Sequence, residues 1–199
     1  MGATYWESVT ASSESAEEAL GQVQIRFFQE AAYDLQGLLT QRVVDMTEAV
    51  RSCEDDDPYD LLDFDRDALD QYRPMAAQEV SQDPAAQIEL LRRIEEISGD
   101  RVGNILDITG ISSGMEEELV QRLPAERIQE AFGTSRPSLL EARRGMSRLA
   151  ESISRGAAIC FPVSEDGRPV AWFFAGHSAD EGSACPTPTS RSSPGSSPS

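Results

Sequence analysis

The sequence predicts an α+β fold in which five to six amphipathic helices pack on a small antiparallel sheet built around a C-terminal hairpin. Helices are indicated because apolar residues recur every three or four positions in several segments. The hairpin is indicated within 157–176, where Asp166-Gly167, a dipeptide typical of a two-residue turn, separates two apolar arms. We expect one domain over 1–177, followed by a disordered tail, 178–199, rich in Ser, Pro and Gly.

The first third of the chain is predicted to contain a strand and two helices. Residues 4–11 form the candidate strand. Ser15 and Glu18 have the spacing of a capping box, which indicates a helix beginning after Ser15. The second helix is predicted from about Leu35 to Cys53, because apolar residues keep a helical period throughout. Cys53 falls in register with them, so we interpret it as a core residue rather than a nucleophile.

Two later helices share one start signal. Asp57 and Asp83 each precede a proline, which places an N-cap acceptor before proline at the first helical position. The first of these helices is predicted over 58–72. The second carries apolar residues at helical spacing and ends at Gly99.

Short strands and helices are predicted in the remainder of the domain. Residues 102–110 have the pattern of a strand ending in glycine, 124–133 that of a short helix, and 137–155 that of a longer one. Centring the hairpin on its turn predicts three cross-strand pairs on one face: Val163–Val170, Phe161–Trp172 and Ile159–Phe174.

Composition excludes several kinds of function. All 17 basic residues are arginine, which excludes the lysine chemistry of Schiff bases and P-loops. A net charge of −18 disfavours direct binding to nucleic-acid phosphates and favours a basic partner. No apolar run approaches the ~20 residues that span a membrane, and we see no signal peptide. The chain has three cysteines, an odd number, and they lack the spacing of metal ligands. Together with the lack of an export signal, this indicates a cytoplasmic protein, and we expect no cofactor.

The most unusual stretch is "CEDDDPYDLLDFDRDALDQY", residues 53–72, which carries eight aspartates. At 100° per residue, four of them fall within about 80° of one another on a helix. These four are Asp60, Asp63, Asp67 and Asp70. We interpret them as an outward stripe and a candidate surface for binding a partner. Asp65 projects instead among apolar residues, so it must have a partner, reach water or become neutral. We also count Asp65 among the candidate partner-binding residues.

The same stretch also suggests metal binding. The alternating acids of "DFDRDALD" are similar to a calcium loop, but Ala68 and Pro74 stand where that loop needs glycine and glutamate. "DDPYD" resembles the magnesium-binding DDxxD motif of isoprenoid synthases, which would make Asp56, Asp57 and Asp60 metal ligands. No second metal motif accompanies it. Mimicry of nucleic-acid charge would require two rows of carboxylates, and one stripe is visible.

A second enzymatic hypothesis rests on "GISSG", Gly110 to Gly114, which matches the G-x-S-x-G elbow of serine hydrolases. Ser112 would be the nucleophile, and the single histidine of the chain, His177, would be its base. Against this, the fold of those hydrolases places several strands before the elbow, whereas the first 100 residues here are mainly helical in pattern.

Charge is unevenly distributed along the chain. Residues 45–83 contain 13 acids and 3 arginines, whereas 122–155 contain 7 arginines and 4 acids. The two segments could dock on each other or on another copy of the chain. We therefore expect a non-catalytic, acidic interaction or regulatory protein, immunity-like or antitoxin-like, whose partner is a basic protein or a second copy. The alternative is a small hydrolase that uses Ser112 with His177 or a magnesium ion.

Overall fold

The computed structural model describes residues 5–10, 14–53, 61–99, 104–114, 119–154 and 156–177, and it confirms the α+β fold. The side chains of Cys53, Leu61 and Leu62, and the whole of 178–199, lie outside what is described. Within the described residues there are six α-helices: α1 (Ala16–Ala31), α2 (Leu35–Cys53), α3 (Leu61–Ala76), α4 (Pro84–Ser98), α5 (Ala125–Phe132) and α6 (Leu139–Ala150). The five strands are β1 (Tyr5–Val9), β2 (Gly110–Ser112), β3 (Leu119–Arg122), β4 (Ala158–Glu165) and β5 (Arg168–His177).

The strands form one sheet in the order β1-β5-β4-β3-β2. β5 pairs antiparallel with both β1 and β4, whereas β4 pairs with β3, and β3 with β2, in parallel. The sheet is therefore mixed, which corrects the expectation of an antiparallel sheet. The expected strand near the start of the chain is confirmed, and it pairs with β5 so that Tyr5 lies opposite His177.

Both faces of the sheet are covered by helices. α1 packs on one face, where Leu20 and Val23 join a buried cluster with Trp172 and Phe174. α5 and α6 cover the other face through a cluster that contains Met146. Helices α2, α3 and α4, which we call the helical layer, pack beyond α1 through two further clusters. The molecule is thus layered from α5 and α6, through the sheet and α1, to the helical layer.

Several helix ends follow the local signals in the sequence. The Asp83 carboxylate accepts hydrogen bonds from the N–H groups of Ala85 and Ala86 at the start of α4, and Gly99 ends that helix with φ 69°. The Ser15 hydroxyl accepts from the Glu18 N–H at 3.1 Å. α2 has the predicted bounds, Leu35–Cys53. The predicted start of α3 at Asp57-Pro58 lies outside the described residues.

The hairpin turn forms at the predicted position, but its register differs from the prediction. Asp166 and Gly167 have φ values of 50° and 75°, as a two-residue turn of this kind requires. A register shift then occurs between Val163 and Ser164. Beyond that bulge Phe161 lies opposite Phe173, not Trp172 as predicted.

This shift of one residue corrects all three predicted cross-strand pairs. The observed pairs are Val163–Ala171, Phe161–Phe173 and Ile159–Ala175. Because side chains alternate between the faces of a strand, the aromatic residues of β5 are divided between two clusters. Phe173 faces α5 and α6, whereas Trp172 and Phe174 face α1. Alternation along β5 therefore supplies aromatic packing to both layers of helices, and the bulge places Phe161 opposite Phe173.

The strand predicted over 102–110 is wrong for most of its described length. Ile105–Asp107 forms a 3₁₀ turn, and β2 begins only at Gly110. The side-chain amide of buried Gln24 donates to the carbonyls of Ile105 and Ile108 at 2.9 and 2.7 Å. These carbonyls bond to a helix side chain instead of to another strand, which explains the irregular backbone.

Arg92 of α4 reinforces the same segment. Its Nε donates to the Leu106 carbonyl and its Nη2 to the Ile108 carbonyl, each at 2.7 Å. Two helices from different layers thus hold one short turn.

Replacing Gln24 with leucine is expected to lower the free energy of unfolding by an amount at the lower end of about 1–3 kcal/mol, because two hydrogen bonds are lost but each carbonyl keeps another donor. Urea denaturation followed by circular dichroism measures the change. Gln22→Leu on the exposed side of α1 serves as the control and should stay within about 0.5 kcal/mol of wild type. Equal effects of the two substitutions would contradict this account of the turn.

The predicted helix over 137–155 is confirmed in a shorter form. Ser138 and Glu141 form a complete capping box at its start. The helix ends at Ala150, after which the N–H groups of Ser152 and Ile153 bond three residues back, to Leu149 and Ala150. This tightened turn leads the chain towards β4.

Candidate functional site

Ser112, the predicted nucleophile, lies on the wall of a cavity of about 500 Å³. It ends β2, and Arg122 ends the adjacent parallel strand β3, so the cavity opens at the carboxyl ends of both strands. Ser113 and Glu17 also line it. The Ser112 hydroxyl accepts a hydrogen bond from the Gly114 N–H at 3.0 Å. The described part of the wall carries polar groups but no imidazole.

His177, the predicted base, lies far from Ser112. It ends β5, where its Nε2 is 3.1 Å from the carbonyl oxygen of Ala150 and its ring meets the edge of Tyr5. β3 and β4 lie between β2 and β5, so the two residues are separated by about 14 Å in the plane of the sheet, at ~4.8 Å per strand. The next described element after Ser112 is a strand rather than a helix. The structure does not bring the predicted pair together.

Cys160 has the properties of a core residue. It is fully buried in β4, and this burial raises the pKa of its thiol to about 12. Arg122 opposes the shift and Glu17 adds to it, but burial is the larger effect. A thiol of this pKa is almost entirely protonated at neutral pH, so Cys160 is a poor nucleophile.

Thiol labelling tests this description of Cys160. In the C53S/C185S variant, we expect native protein at pH 8 to resist Ellman's reagent until it unfolds, because about one thiol in 10⁴ is ionised. Labelling is followed at 412 nm with and without urea. Because the folded pKa exceeds that of a free thiol, ~8.5, the associated stability is fully present below pH ~8.5 and is lost as the pH rises towards 12. Rapid labelling of folded protein would contradict the burial.

The predicted magnesium ligands Asp56, Asp57 and Asp60 lie outside the described residues. Within the described ranges, no three histidine, cysteine, aspartate or glutamate side chains are grouped so that they could hold a metal ion. The magnesium hypothesis therefore gains no support from the part of the chain that can be described.

The aspartates of α3 do form an exposed stripe. Asp63, Asp67 and Asp70, which we call the acidic face, are all exposed. Asp63 and Asp70 lie 4.0 and 3.6 Å from Arg66 and Arg73 on the same helix, and such exposed pairs are weak. Asp67 has no ion pair within the described residues, and the face remains negative.

Phe64 lies beside the acidic face and is 55% exposed. By sequence pattern Phe64 belongs to the apolar arc of α3, yet its ring is not buried. The buried side is centred on Ala68, Leu69 and Tyr72. On a helical wheel this centre lies about 90° from Phe64, so the ring falls at the border between the buried side and the acidic face.

Asp65 is half-buried rather than part of the acidic face. Its position agrees with the expectation that its side chain points towards the apolar side of α3. Among the described residues of α3, the cluster between the helices of the helical layer includes Ala68, one turn further on. Asp65 itself is partly exposed, so its carboxylate can reach water.

Phe64 is the residue that sequence reasoning missed. The available signal was its position on the helical wheel, at the edge of the apolar arc and between Asp63 and Asp67 in the chain. A large aromatic side chain at such an edge is buried or exposed according to how its helix is rotated against its neighbours, and that rotation is a tertiary property.

No protein-family model matches this chain, and no curated protein or solved structure is significantly similar to it. Among the described residues, no helix combines the length and the apolar character needed to cross a lipid bilayer.

Proposed function

We propose that this protein is a non-catalytic, cytoplasmic interaction protein that binds a basic partner protein through the acidic face of α3. An immunity-like or antitoxin-like role fits such a partner. The observation that carries the proposal is Phe64, a large aromatic residue that is 55% exposed beside three exposed aspartates.

The two kinds of residue have different roles in this proposal. A net charge of −18 and the acidic face attract a basic protein and increase the rate of association. Phe64 supplies apolar area that the partner can bury, and aromatic residues of this kind dominate the binding energy of many interfaces. A face with charges alone would bind more weakly and with less selectivity.

Four further observations agree with a binding role. The described residues do not place Ser112 near His177, and they contain no metal-ligand cluster. Cys160 is buried with a raised pKa. The lack of lysine removes another set of catalytic groups. A chain with so few catalytic groups is better suited to recognition, and its free buried thiol suits the reducing cytoplasm.

Affinity capture from the native host, followed by mass spectrometry, tests the proposal. The baits are the wild-type chain, the face variant D63R/D67R/D70R and the control variant E89R/E126R/E130R. All six acids are exposed, and Glu89 and Glu130 each pair with an arginine three residues away, as Asp63 and Asp70 do. The two variants therefore change net charge equally but at different places.

We expect wild type and the control variant to retain the same basic protein at 50 mM NaCl and the face variant to lose it. Once that protein is purified, Phe64→Ala should increase its dissociation rate about 30-fold, which corresponds to ~2 kcal/mol. Asp63→Asn should mainly reduce the association rate. Recovery of no basic protein, or equal retention by the face variant, would contradict the proposal.

A further inference from the structure

A second charged surface lies at the other end of the layered molecule. α6 buries Ala142, Met146 and Leu149 against the sheet. On the opposite side of this helix Leu140, Arg144 and Arg148 recur every four residues and are all exposed. We call these three residues the basic face. Leu140 is 58% exposed, the largest exposed fraction of any large apolar residue described.

The charges of the basic face are only partly balanced by neighbours among the described residues, since Glu141 interacts electrostatically with Arg144. Arg143, on the flank of the same helix, pairs with Glu7 at 3.3 Å. Arg144 and Arg148 have no such ion pair among the residues described. They therefore present two positive charges next to an exposed leucine, which is the counterpart of two negative charges next to Phe64.

The acidic and basic faces cannot meet within one molecule. α3 packs in the helical layer, in a cluster with α2 and α4. α6 packs on the far side of the sheet, in a cluster with β4 and β5. α1 and the sheet lie between them. The sequence left open whether the two charged segments dock on each other or on another copy, and for the acidic face and the basic face this arrangement allows docking only between copies.

The spacing of charges on the two faces matches. Asp63 and Asp67 are four residues apart, as are Arg144 and Arg148, so both pairs are separated by about 6 Å along their helix axes. Two helices packed side by side can therefore align two carboxylates with two guanidinium groups. Phe64 is next to Asp63 in the chain, and Leu140 lies one helical turn before Arg144. These two exposed side chains can therefore pack in the same contact.

We propose that the acidic face of one copy binds the basic face of a second copy, so that the chain self-associates head to tail. This inference rests on the same acidic face as the proposed function, but it names the second copy as an occupant. A contact between two different surfaces is heterologous and can continue from copy to copy. Self-association then keeps the acidic face covered until a stronger basic partner displaces the second copy.

Ionic strength acts in two directions on this contact. Two chains of net charge −18 repel each other at long range. At 0.15 M salt the Debye length is about 8 Å, which screens that repulsion more than it screens charges in direct contact. At 1 M salt the Debye length is about 3 Å and the contact itself weakens. We therefore expect association near physiological salt and loss at 1 M.

Sedimentation velocity of the full chain, from 10 to 500 µM in 0.15 M NaCl, tests the inference. The weight-average mass of wild type should rise above the 21.7 kDa of one chain as concentration increases. The acidic-face variant D63N/D67N/D70N and the basic-face variant R144Q/R148Q should each remain at 21.7 kDa. A control variant, R93Q/R127Q, removes two exposed arginines elsewhere and should behave as wild type.

Mixing the two face variants gives the decisive result. Each retains one intact face, so the mixture should form a 1:1 complex whose mass stops at twice that of one chain. Wild type that remains at 21.7 kDa throughout, or face variants that associate as wild type does, would overturn the inference. One outcome separates the two proposals. If wild type and R144Q/R148Q are both monomeric at all concentrations but both bind the captured basic protein, self-association is refuted and the proposed function stands.

Discussion

Phe161→Ala is expected to lower the free energy of unfolding by about 3–5 kcal/mol. Phe161 is 0% exposed in the middle of β4. Its ring centroid lies 5.2 Å from that of Phe173 and 5.0 Å from that of Phe132. Removing it leaves a cavity between the sheet and α5, and its neighbours lose both apolar burial and ring packing. Small domains have a total stability of only about 5–15 kcal/mol, so this is a large fraction.

Urea denaturation followed by circular dichroism measures this effect. Phe161→Leu keeps most of the apolar volume and should lose less. Val44→Ala, at an exposed position of α2 outside both charged faces, is the surface control and should change stability by no more than about 0.5 kcal/mol. A loss below 1 kcal/mol for Phe161→Ala would mean that the hairpin does not form the centre of the core.

Tyr72→Ala is expected to have the second large effect, also about 3–5 kcal/mol. Tyr72 is 0% exposed in α3 and packs in the cluster that joins the helices of the helical layer. Its hydroxyl donates to the Ile94 carbonyl of α4 at 2.8 Å. One side chain thus supplies both packing and a hydrogen bond between two helices that are adjacent in space.

Tyr72→Phe separates the two contributions, because it removes the hydroxyl and keeps the ring. We expect a loss of about 0.5–1.5 kcal/mol, the usual range for one hydrogen bond. The Ile94 carbonyl also accepts from the Ser98 hydroxyl at 3.2 Å, which favours the lower end of that range. If Tyr72→Phe were as damaging as Tyr72→Ala, the hydrogen bond rather than the packing would hold α3 in place.

The elements that sequence reasoning located best are those whose signals are local. α2 and α4 combine a continuous helical period with defined ends, and Asp83 and Gly99 act on the backbone within a few residues. The hairpin turn at Asp166-Gly167 is equally local, since two consecutive positive φ values favour this dipeptide. Such features need no knowledge of the rest of the fold.

The elements that were missed depend on distant partners. The 3₁₀ turn at Ile105 is supported by Gln24, which lies about 80 residues earlier in the chain. The bulge beside Val163 changes which residues of β4 and β5 pair, and the parallel pairing of β3 with β4 depends on the chain passing through α5 and α6. The sequence patterns of these segments are compatible with several strand orders and registers.

The candidate site shows the same division. The exposed aspartates of α3 follow from the helical period, whereas the exposure of Phe64 depends on how α3 is rotated against its neighbours. The separation of Ser112 from His177 depends on strand order, which a five-residue motif does not encode. The sequence therefore identified the charged surface but not the apolar residue beside it.

The pairing of β1 with β5 has a consequence for synthesis on the ribosome. β1 is translated early, but the strand that binds it lies at the far end of the domain. At ~5–20 residues per second, β1 waits roughly ten to thirty seconds before β5 has been made. The nascent helices can form during this interval, whereas the sheet can close only after β5 has left the exit tunnel, and until then Trp6 and its neighbours are exposed to chaperones.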